Sequence, residues 1–79
     1  MKKVDMIKTI QLTEARAWLA LQKSIVNNGH ESRITGEYRE RWMTLKCLMA
    51  SLGINSDVNL PESKEALDFI TENFKTFAF

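Results

Sequence analysis

A chain of 79 residues makes one small domain and is too short for a second. Hydrophobic residues make up 44% and charged residues 27%, a balance that excludes a disordered chain. Eleven Lys and Arg against ten Asp and Glu leave a net charge of +1, so no strong field argues for nucleic acid or an anionic surface.

A domain this small buries a modest share of its unfolded surface, so its stability is expected to be marginal or assisted by a disulfide, a metal or self-association. Cys47 is the only cysteine, so no internal disulfide forms, and the sequence shows no metal-ligand cluster and no cofactor motif. Self-association, as a homodimer, is the remaining source of support. The lone cysteine fits a reducing compartment. Lys2 and Lys3 resemble the basic start of a secretion signal, but Asp5, Lys8, Thr9 and Gln11 interrupt the apolar run such a signal needs. No stretch approaches the ~20 apolar residues of a membrane span. The expected setting is cytoplasmic, with no membrane partner.

Residues 2–11 read two ways. Val4, Ile7 and Ile10 recur at helical spacing, whereas Ile10 and Leu12 alternate with polar neighbours like a strand; helix is the preferred reading. A helix is clearer over residues 13–27. Thr13 suits its N-cap unless residues 2–11 are helical too, and Glu14 suits the positive end of the dipole. Ala15, Trp18, Leu19, Leu21, Ile25 and Val26 form its apolar face, and Asn28 or Gly29 can take the left-handed turn that ends it.

A polar loop follows, and a second helix is expected over residues 36–52 with Thr35 as its cap. Tyr38, Trp42, Leu45, Met49 and Leu52 step by four, three, four and three residues, a two-heptad packing seam that Leu48 widens. Gly53 stops this helix, and Ile54 is placed to fold back on its last turn. Pro61 opens a third helix over residues 61–75, with Glu62 and Glu65 near its start and Lys75 near its end. Ala66, Leu67, Ile70 and Phe74 share a face of it, with Phe69 flanking. The fold predicted is all-α: one domain over residues 1–79, an antiparallel helical hairpin with a third helix across it, like a three-helix bundle.

Chemistry is sparse. His30 is the only histidine and has only Glu31 as a neighbouring acid, which fits a solvated loop. Cys47, on the flank of the seam, reads as a buried or half-buried small hydrophobe. The sequence holds no phosphate loop, nucleophile motif or HExxH spacing, so enzymatic activity is not expected. Arg33, Arg39, Arg41 and Lys46, beside Tyr38 and Trp42, are the candidate nucleic-acid face, but Glu37 and Glu40 dilute it. A helix-turn-helix reading of Gly53, Ile54 and the third helix is opposed by the long link and by Glu62, Glu65 and Asp68. Phe69, Phe74, Phe77 and Phe79 are the candidate protein interface. A tail that closes the core is the competing reading, and both stay open. Trp18 and Trp42 face each other across the hairpin or, if exposed, serve as binding hot spots.

Leu12-Thr13-Glu14-Ala15-Arg16-Ala17, and Arg41-Trp42-Met43-Thr44-Leu45 running into Leu48 to Ile54, are similar to helix starts and ends in short helical proteins of bacteria and their phages. That resemblance covers residues 12–54 and implies a small accessory or regulatory protein. The expected function is non-enzymatic, through binding another protein. The alternative is a small nucleic-acid-binding regulator that uses the basic face.

Overall fold

The computed structural model of the chain describes the backbone over residues 2–78 and the side chains over residues 2–73. Helix α1 runs Lys3–Asn28, α2 Arg33–Leu52 and α3 Pro61–Ala78, with no strand among the described residues. The architecture is all-α with three helices.

Helix α1 begins ten residues before Thr13, because the Val4, Ile7, Ile10 spacing continues the apolar stripe of residues 15–25. Thr13 therefore caps nothing. Its hydroxyl donates back to the Thr9 carbonyl at 2.8 Å, as Thr9 does to Asp5 at 2.8 Å. Gly29 ends α1 with φ +90°, and its N–H donates to the Ile25 carbonyl at 2.9 Å.

Helix α2 also starts earlier than expected. Ser32, not Thr35, is its N-cap, and the Ser32 hydroxyl accepts from the Ile34 N–H at 3.3 Å. Thr35 is fully buried instead, with its hydroxyl 2.9 Å from that of Ser24 and 3.2 Å from the Ser24 carbonyl it donates to. At the other end Gly53 is left-handed, and the Gly53 and Ile54 N–H groups donate to the carbonyls of Ala50 and Met49. These two bonds are a Schellman turn.

The hydrogen-bonded pairs Ser24 and Thr35, Glu14 and Trp42, and Gln11 and Asn55 step down α1 as they step up the later chain, which makes α1 and the segment from α2 onward antiparallel. In the expected seam Met49 is buried at 1% exposure, and Tyr38, Trp42 and Leu45 are half-buried. Leu52, the last residue of α2, is 56% exposed and borders the end of the seam rather than being buried in it.

The link into α3 folds on Asp57. Its carboxylate accepts from the Asn59 N–H at 2.9 Å, and its carbonyl accepts from the Ser63 hydroxyl at 2.8 Å. Both α2 and α3 pack on α1, and among the described residues their backbones do not approach each other to contact distance. Ala15 on α1 and Ala66 on α3 are both buried, and side chains that small let helix backbones come close. The described buried apolar core is small: Ala15, Leu21, Ile25, Met49 and Ala66.

Candidate functional site

Because α2 and α3 flank α1 without meeting, a cleft of about 280 Å³ opens between them. Glu14 and Trp18 of α1 form its floor, and Trp42 and Lys46 of α2 one wall. Ser63 and Leu67 of α3 form the other wall, with Ser56 and Val58 of the link beside them. Trp18 and Trp42, both half-buried, thus line one cavity.

Glu14 is 4% exposed and is the polar centre of this cleft. One carboxylate oxygen accepts from the Trp42 indole N–H at 3.1 Å. The other accepts from the Ser56 hydroxyl and lies 4.0 Å from the Lys46 ammonium. Lys46 in turn donates to Ser56 at 2.9 Å. A buried carboxylate is tolerated only when its lone pairs are filled, and here both oxygens are engaged. The cluster joins α1, α2 and the link. With the Ser56 proton directed at Glu14 and the Lys46 ammonium beside that carboxylate, its hydrogen bonds close on one another, as in a structural latch.

The signal for Glu14 was not local. Its position after Thr13 suggested a carboxylate at the positive end of a helix dipole. Its partners Trp42 and Ser56 lie 28 and 42 residues along the chain.

The four basic residues of the candidate nucleic-acid face are not brought together. Arg33 is exposed beside Glu37 at 3.8 Å, and Arg39 donates to the His30 carbonyl at 3.2 Å. Arg41 lies 5.5 Å from the centre of the Tyr38 ring, and Lys46 belongs to the Glu14 cluster. Arg39 and Arg41 stand two residues apart, ~200° around the helix, on opposite flanks of α2. His30 is exposed in the loop. Cys47 is exposed rather than half-buried, since it points away from Met49 around the helix. Of the candidate interface, Phe69 is half-buried on α3, while Phe74, Phe77 and Phe79 lie outside the described side chains.

A second feature runs along the hairpin seam between α1 and α2. Three hollows follow each other there. The first, about 280 Å³, is lined by Lys3, Met6, Ile7, Ile10, Leu52 and Ile54. The middle one, about 520 Å³, has Ala17, Ala20 and Leu45 as its floor and Tyr38, Arg16 and Arg41 around it. The third, about 250 Å³, continues past Ile34, Lys23 and Asn27. None of these residues lines the α2–α3 cleft, so the groove and the cleft are separate.

No described helix is long and apolar enough to cross a membrane, and no described group of three or more His, Cys, Asp and Glu is placed to hold a metal ion. No family model, no curated protein and no solved structure matches the chain.

Proposed function

We propose that this chain is a non-enzymatic helical module that works by binding another protein, as a regulatory or accessory factor of a bacterium or phage. The observation that carries it is surplus apolar surface. Met6, Ile34, Met43, Leu48, Leu52 and Val58 are 47–63% exposed. The accessible surface is 5852 Å², against about 4,900 Å² for a compact monomer of 9.1 kDa. The radius of gyration is 13.5 Å, against about 12 Å for a compact chain of this length. The difference in area, on the order of 900 Å² of polar and apolar surface together, is similar in size to what one partner contributes to a standard interface, roughly 800 Å². The filled hydrogen bonds of the Glu14 cluster support a structural rather than a catalytic role for the chain's most buried acid.

The test is capture from the native host with the tagged chain and with a Leu48→Ser/Leu52→Ser variant, both exposed positions. A partner held by the first and lost by the second supports binding. The same proteins with both, or none with either, opposes it.

A further inference from the structure

The groove between α1 and α2 has a one-sided charge. Its three hollows are lined by Lys3, Arg16 and Arg41 and by no Asp or Glu; Lys23, which borders the third, is paired with Glu65 of α3 at 3.8 Å. The chain has ten acidic residues and a net charge of +1, and none of those acids lines the hollows. Arg16 and Arg41 are both exposed beside the largest hollow, whose floor is Ala17, Ala20 and Leu45. The exposed Met6, Ile34 and Leu52 extend the apolar floor toward both ends.

We infer that this groove docks an acidic amphipathic helix of another protein, with its apolar stripe on the floor and its flanking carboxylates on Arg16 and Arg41. This rests on the protein-binding function proposed above and names the partner's chemistry. Helix-in-groove recognition needs an apolar trough of matching length. The apolar lining of α1 runs from Met6 to Ala20, ~21 Å of helix and enough for a partner stripe of about 14 residues, and beyond it the third hollow is walled by Lys23, Ser24, Asn27 and Asn28 beside Ile34. The hollows follow one another at roughly nine residues of α1, so the partner presents a bulky side chain every two to three turns. Ala17 and Ala20 leave room for the middle one.

A second copy of this chain fits less well. A two-fold axis through the middle of the groove sets Arg16 and Arg41 of one copy against the same pair of the other, and like charges at an interface oppose association. Nucleic acid fits less well also, because Ala17, Ala20, Leu45 and Ile34 give phosphates nothing to bind.

The experiment is an NMR titration of the isotope-labelled full chain with two synthetic 21-residue helical peptides. Both carry leucines along one stripe, one with glutamates flanking it and one with lysines. The glutamate peptide is expected to shift the amides of Ala17, Ala20, Arg41 and Leu45 while leaving Ser63 and Leu67 in place. Its binding is expected to be at least tenfold tighter than that of the lysine peptide and to weaken with salt. An Arg16→Glu/Arg41→Glu variant should invert the preference, and Arg16→Gln/Arg41→Gln, which adds no new charge, should abolish it.

Equal affinity for the two peptides, shifts confined to the α2–α3 cleft, groove shifts that grow with protein concentration alone, or tighter groove binding by a DNA duplex would each overturn the assignment. Host capture by the Arg16→Gln/Arg41→Gln variant separates the two levels. If it retains a partner that a Met43→Ser/Leu48→Ser variant, changed only outside the groove lining, loses, protein binding stands and the groove assignment falls.

Discussion

The indole N–H of Trp42 donates to the buried carboxylate of Glu14 across 3.1 Å, tying the middle of α2 to the middle of α1. Ser56 holds the other oxygen, so one side chain sets both the hairpin and the link that starts α3. Replacing Glu14 with Ala strands the Trp42 indole N–H and the Ser56 hydroxyl proton and takes the counter-charge from Lys46, which keeps Ser56 and water. A hydrogen bond to a charged group contributes about 1.5–3 kcal/mol, and Lys46 is partly in water. The expected loss for Glu14→Ala is therefore about 2–4 kcal/mol. Glu14→Gln keeps an acceptor for Trp42 and should lose less. Urea unfolding followed by circular dichroism checks the order, and a Gln variant as weak as Ala contradicts the cluster.

The buried pair of Ser24 and Thr35 has a different signature. The Thr35 hydroxyl is 2.9 Å from that of Ser24 and is wholly buried. Thr35→Val removes it without changing shape and leaves the Ser24 hydroxyl with Asn28, which donates to it at 3.2 Å, but with no Thr35 oxygen, at a cost of about 1–2 kcal/mol. Adding Ser24→Ala should then cost less than it does alone. A double-mutant cycle in urea measures the coupling, and strict additivity argues against the bond.

How much of this was legible depends on how far each residue's partners lie. Met49, Gly53 and Pro61 declare themselves through spacing and local backbone chemistry, and so the three helices were readable. Thr13 and Thr35 were not. A threonine hydroxyl caps a helix or bonds back within one, and only the chain outside the motif decides which. At Thr13 the decision came from Val4, Ile7 and Ile10, and at Thr35 from Ser24, eleven residues away. The site was the least legible part. Glu14, Trp42, Lys46 and Ser56 carry no shared motif, and the basic groove exists only once Arg16 of α1 and Arg41 of α2 border one hollow.

Cys47 gives a direct check on the orientation of α2. The thiol is exposed while Met49, two residues on, is 1% exposed. A disulfide reagent should titrate one thiol per folded chain without denaturant, at a rate little changed in urea. A rate that rises a hundredfold on unfolding would place Cys47 inside.

Gly29 and Gly53 end α1 and α2 with positive φ, at +90° and +70°. A Cβ at either meets nothing within 4 Å, so any cost of alanine there is backbone strain alone. Gly53, with ψ 27°, is in the left-handed helical region, which an L-residue enters for about 1–2 kcal/mol. Gly29, with ψ 157°, is in a region almost reserved for glycine, where strain is of order 1–3 kcal/mol. Gly29→Ala should therefore destabilise more than Gly53→Ala. Asparagine should partly rescue position 53, because its side chain tolerates the left-handed region, and should fail at position 29. Thermal melts of the four variants decide it. At about 4–8 °C per kcal/mol for a domain this size, the two glycines separate by several degrees. Equal losses, or rescue by asparagine at position 29, would show that the loop relaxes to another conformation and that the α1–α2 connection is set by helix packing rather than by the turn.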